Sequence, residues 1–148
     1  MNVSRKTTKM QQILVGVDGS VESRAALDYA ANLARETGRN LFLAFVAEPP
    51  TPVSLETSRA SSDEAYLKEW AERLLDGTAR AQQCEGLAVR TAFLRGQPAD
   101  ALADTAISDE IDLVVVGHRG RNAFSRMLLG SVADRLTQIS PKPVVVVR

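Results

Sequence analysis

Four short runs in this chain are apolar almost without interruption: residues 13–17, 40–47, 113–116 and 144–147. Each is too short for a stable buried helix, and none alternates polar with apolar as a half-solvated strand would. Strands buried on both faces fit these runs, and such strands belong to parallel sheets covered by helices. The stretches between them have helical periodicity. Residues 21–37 put Leu27, Ala30, Ala31, Leu33 and Ala34 on one stripe, with Ser20 placed to cap the start and Gly38 to close the end. Residues 63–84 set Tyr66, Trp70 and Leu74 beside Leu67, Ala71 and Leu75, so Trp70 reads as a core or interface anchor.

The remaining elements are weaker but of the same kind. Residues 87–94 alternate, with Ala88, Arg90 and Ala92 against Val89, Thr91 and Phe93, as suits an edge strand. Pro98 and Asp100 open a helix reaching about residue 108, and a last helix spans 132–139. Segment 48–62, with Pro49, Pro50 and Pro52, reads as a long mobile loop. Strand alternates with helix throughout, which predicts βαβ units with right-handed crossovers in one α/β domain over residues 11–148. Residues 1–10 are polar and basic and read as a flexible leader.

Composition narrows the partners. Eighteen Lys and Arg balance eighteen Asp and Glu, which argues against nucleic acid or a membrane surface as the target. The single Cys84 forbids an internal disulfide and fits a reducing cytoplasm. No run reaches membrane-spanning length.

The chemistry concentrates in residues 117–131. The apolar run at 113–116 ends in Gly117-His118-Arg119-Gly120, and the stretch closes on Gly130-Ser131 just before the last helix. A strand that hands over through a Gly-bearing loop to a helix start offers unpaired N–H groups and the positive end of a dipole, which suits an anion. Ser131-Val132-Ala133-Asp134 has the form of a capping box. Arg119, Arg121 and Arg126 make the loop locally positive on a neutral chain, favouring a small anionic ligand such as a phosphate. Neither a Walker motif nor G-x-G-x-x-G is present. Asp18, ending the first strand, could bond ribose, an adenine amino group or a metal, or could cap the helix beside Ser20. His118 is the only histidine; with no second metal ligand near it in sequence, it reads as a loop residue close to the phosphates.

The spacing Gly-x2-Gly-x9-Gly-Ser over residues 117–131 resembles the nucleotide-binding signature of the ATP-binding branch of the universal stress protein family. The resemblance extends over residues 13–147. It implies a flavodoxin-like three-layer sandwich, akin to adenine-nucleotide α-hydrolases, with a five-stranded parallel sheet of order 3-2-1-4-5. For the ligand it implies ATP, possibly with Mg2+, contacted by Asp18, Gly19, Ser20, the backbone of Val46, Gly117, Arg119, Gly120, Gly130, Ser131 and Val132. Gly117 and Gly120 are then expected where backbone approaches sugar and phosphate. The family also points to a homodimer through the last strand, to an unidentified protein partner and to a stress-responsive regulator rather than a catalyst. Slow ATP hydrolysis and a nucleotide-free interaction module are the alternatives, because Asp18 and His118 are the only acid–base groups at the crevice and neither has an evident orienting partner.

Overall fold

The computed structural model describes residues 11–49, 60–120 and 129–148. Among the described residues nine elements follow one another: β1 (Gln12–Gly16), α1 (Val21–Thr37), β2 (Asn40–Ala47), α2 (Ala60–Cys84), β3 (Val89–Arg95), α3 (Pro98–Thr105), β4 (Ile111–Gly117), α4 (Ser131–Ile139) and β5 (Val144–Val147). The strands form one parallel sheet of order β3-β2-β1-β4-β5. This is the expected α/β architecture. The basic leader, most of the 48–62 loop, and Arg121 and Arg126 lie outside the described residues.

The sheet is buried on both sides, which is why its central strands are apolar without alternation. Ile13, Val15, Leu41, Leu43, Phe45 and Val115 pack under α1 and α2. Their neighbours along the same strands, Leu14, Phe42, Ala44, Val114 and Val116, pack under α3 and α4. Helix α1 starts where Ser20 caps it, its hydroxyl accepting from the Ser23 N–H at 3.1 Å. It ends at Gly38, whose φ of 69° is the left-handed value that favours glycine.

Three expectations are corrected. Tyr66 is 72% exposed, because the buried face of α2 centres on Ala71, Leu75 and Ala79, with Leu67, Trp70 and Leu74 flanking it. Helix α2 begins at Ala60, within the segment expected to be loop. Helix α3 is shorter than expected and ends at Thr105. Among the described strands β3 lies at an edge, as expected, and Arg90 lies 4.3 Å over the ring of Phe42, its register partner on β2.

Candidate functional site

Strands β1 and β4 are neighbours, yet the chain leaves them in opposite directions across the sheet, and a crevice opens beyond their carboxyl ends. A cavity of about 600 Å³ occupies it. Gly16, Ala44 and Val116, at or near the ends of β1, β2 and β4, form its floor. Leu67 of α2 and Pro98 and Leu102 of α3 also line it, three residues that the sequence does not mark as part of a site. They come from helices remote in the chain, so no local pattern marks them.

Asp18 lines the cavity and holds the turn after β1. Its Oδ1 accepts from the Ser20 N–H at 2.9 Å. Its Oδ2 lies toward the loop after β4: a β-carbon on Gly120 would sit 3.1 Å from it. The carboxylate thus serves the helix start with one oxygen and meets the glycine loop with the other. Gly19 and Ser20, adjoining it, are not part of the cavity wall. Gly19 adopts φ 82°, and a β-carbon there would meet the Trp70 ring at 3.0 Å; Ser20 is committed to capping α1. The Trp70 ring is packed edge-on to Phe45 at 5.7 Å, as a core anchor.

Val46 contributes main chain. The Val17 N–H donates to the Ala44 carbonyl at 2.9 Å, so Ala44 turns its backbone groups toward β1. Residues two apart on a strand turn the same way. Val46 therefore directs its N–H and C=O toward the space beyond the end of β1, side by side as a donor and an acceptor.

The helix start at Ser131 is built differently from the capping box expected. Gly130 is the N-cap and has no side-chain bond to give; Ser131 is already the first helical residue, so its hydroxyl is not the cap. The first helical bond runs from the Asp134 N–H to the Gly130 carbonyl at 2.9 Å. Inside the helix the N–H groups of Ser131, Val132 and Ala133 consequently have no acceptor, and all three residues line the cavity. Gly130 itself donates to the His118 carbonyl at 2.6 Å. Its φ of −68° suits any residue, so space is what requires glycine: a β-carbon would stand 3.0 Å from the Arg119 α-carbon and 3.0 Å from the His118 oxygen.

Gly117 has a steric reason to be glycine besides the sugar contact expected. It lines the cavity, but a β-carbon there would fall 2.7 Å from the backbone carbon of Glu22, inside the first turn of α1. Arg119 lines the cavity, and its Nε donates to Nε2 of His118 at 3.0 Å. The His118 main chain joins β5 as well, its N–H donating to the Val147 carbonyl at 2.8 Å. The wall thus carries Asp18, Glu48 and Arg119 as its charged groups among the described residues. No group of three or more metal-ligating side chains occurs among them. No described helix is long and apolar enough to cross a membrane.

Comparison with known proteins gives a consistent result. The profile of the universal stress protein family matches residues 9–148. Universal stress protein YxiE of Bacillus subtilis is 30% identical over 145 residues, covering 93% of this chain and 98% of its own. A universal stress protein crystallised in complex with cAMP superposes with a TM-score of 0.70 at 26% identity, over 95% of this chain and 99% of its own. One from Archaeoglobus fulgidus, in complex with dAMP, has the same fold at a TM-score of 0.66 and 22% identity, over 95% and 99%. With its sheet order, its glycine spacing and these matches in agreement, the chain belongs to the universal stress protein family.

Proposed function

We propose that this protein binds ATP in the crevice between β1 and β4 and works as a stress-responsive regulator in the cytoplasm. The observation that carries the reading is the start of α4, where a glycine cap leaves helix N–H groups of Ser131 and Val132 at a cavity that Asp18 also lines. Those donors suit the phosphates, with Arg119 adding charge. The Asp18 carboxylate suits ribose hydroxyls, and the paired N–H and C=O of Val46 match the edge of adenine, which needs one donor and one acceptor. Gly19 and Ser20 support the site by shaping the turn that holds Asp18. Adenine mononucleotides in two relatives agree with this choice of ligand class.

Mg2+ would be held mainly by the phosphates, since Asp18 is the one carboxylate at the junction of β1 and the loop, and one of its oxygens already accepts from Ser20. Binding rather than turnover is the reading. Bound nucleotide would bias conformation or the binding of a protein partner. We also propose a homodimer through β5: among the described strands it pairs with β4 alone and lies at the edge of the sheet, the kind of edge another strand can extend. Thermal unfolding with ATP, ADP, AMP and cAMP tests the binding. ATP at a hundredfold excess over its dissociation constant should stabilise the fold by about 2.7 kcal/mol. No shift with any of them would leave the bare interaction module as the better account, and phosphate release at about 1 per second or faster would favour an enzyme.

A further inference from the structure

Helices α2 and α3 each follow a strand, so both begin beyond the carboxyl end of the sheet, α2 on one face and α3 on the other. Both pack against β2. In α2, Leu67, Ala71 and Leu75 recur at every fourth position and form one row. Ala71 and Leu75 are buried in the core, whereas Leu67, one turn nearer the helix start, is only partly buried and lines the cavity. Helix α3 repeats the pattern: Leu102 is buried, and Pro98, one turn earlier, is partly exposed and also lines the cavity. Each helix thus carries its apolar row about one turn beyond what core packing uses. The overhanging residues, Leu67 from one face and Pro98 from the other, meet the cavity where Val46 lines it with its main chain. The exposed Glu48 stands in the wall just after β2, so this end carries a negative charge, while the open helix donors lie beyond β4.

We propose that Leu67 and Pro98 are specificity-determining residues that clamp the two flat faces of a purine base, while the Val46 main chain meets its edge. The inference rests on the nucleotide-binding reading above and names the residues that select the base. A flat ring inserted edge-on between two apolar side chains removes both of its faces and both side chains from water. A two-ring base presents more apolar face to such a clamp than a one-ring base, so the clamp favours purines by contact area. Main-chain groups at Val46 cannot supply that preference, because they meet only the edge. Pro98 suits a wall of this kind: its ring is rigid, and at the first helical position its missing N–H costs the helix nothing. Glu48 fixes the direction of the ligand, repelling phosphates from the base end toward the start of α4.

The test is calorimetric titration of ATP, CTP and inorganic tripolyphosphate into the wild type, Leu67→Ala and Pro98→Ala. The wild type should bind ATP about tenfold more tightly than CTP. Leu67→Ala should lose about tenfold for ATP and about threefold for CTP, narrowing the preference, while tripolyphosphate stays within about twofold of wild type. Pro98→Ala should act in the same sense, with a loss of about threefold for ATP. Unchanged ATP affinity in Leu67→Ala, or an equal loss for ATP and CTP, overturns the proposal. A second measurement uses the wild type alone and so does not depend on how the variants fold. With ATP bound, nuclear Overhauser contacts should join the adenine ring protons to the Leu67 methyl groups and the Pro98 ring. Their absence in the bound state refutes the clamp directly. If the wild type binds neither ATP nor tripolyphosphate, the nucleotide reading itself fails and the clamp falls with it. If ATP binds wild type and Leu67→Ala alike, the nucleotide reading stands and the clamp alone is wrong.

Discussion

Two helices begin side by side at the carboxyl end of this sheet, and they begin differently. At α1 a side chain takes one first-turn donor: Ser20 accepts from the Ser23 N–H, while Asp18 accepts from the Ser20 N–H just before the helix. At α4 the cap is Gly130, which has no side chain to offer, and the first-turn donors face a cavity instead. Both starts have a dipole of the same sign. What distinguishes them is that a side-chain oxygen already occupies the start of α1, whereas a glycine cap leaves the start of α4 open. A helix start becomes an anion site when its cap leaves donors unused and the neighbouring loop leaves room in front of them.

The largest effect should come from filling that room. Gly130→Val would push against the Arg119 α-carbon and the His118 carbonyl, each 3.0 Å from the new β-carbon. The variant should fold yet lose the whole ATP-dependent stabilisation, about 2.7 kcal/mol at a hundredfold excess, in a thermal shift assay. Retention of the full shift would mean that the bare start of α4 is not where phosphate sits.

Gly117→Ala sharpens the comparison from the side of α1. Its β-carbon would meet the Glu22 backbone at 2.7 Å, so the first turn of α1 must move. We expect a loss of about 1–3 kcal/mol in denaturant unfolding without any ligand present. An unchanged midpoint would remove the steric reason and leave only a ligand-related one for that glycine.

Ser20→Ala removes the side-chain cap from α1 alone. Stability should fall by about 1 kcal/mol, while ATP affinity stays within about twofold of wild type. A large loss of affinity would put Ser20 among the ligand contacts.

The smallest effect concerns how the α4 start is braced from below. Arg135 of α4 holds the Asp100 carboxylate of α3 through two bonds, 2.7 and 3.2 Å long. The hydrogen bond from Arg135 lowers the Asp100 pKa from its ordinary value, desolvation opposes it, and the charge of Arg135 adds to the lowering. A carboxyl whose folded value is depressed stabilises the fold above its unfolded value of about 4, and that contribution fades as pH falls through the lower folded value. Asp100→Asn should therefore flatten the acid end of the stability profile slightly, below about pH 4, and the pair's exposure keeps the change small. A difference between the two proteins that persisted undiminished at strongly acid pH would contradict this origin.

Much of the fold was legible in the chain because its signals are local. Residues 21–37, 40–47 and 144–147 were placed with the observed boundaries, since a capped amphipathic stripe or an apolar run is complete within its own segment. Tyr66 was misplaced because a helix with apolar residues on more than one face leaves the buried centre to be fixed by what it packs against, here the β2 and β3 face carrying Phe45 and Phe93. The capping box at Ser131 failed for a related reason. A Ser-x-x-acid pattern names residues able to cap, but the preceding Gly130, locked to the His118 carbonyl, is what sets where the helix starts.

The sequence by itself determined the order and kind of the elements, the glycine spacing of residues 117–131 and the family to which they point. Only the tertiary structure decided which helix donors stay open, that Gly117 makes room for α1, that Asp18 divides its oxygens between a helix turn and Gly120, and that Leu67, Pro98 and Leu102 complete the cavity. The division has a physical cause. Periodicity and capping act over a few neighbouring residues, whereas close approach between backbones is settled by packing among segments tens of residues apart.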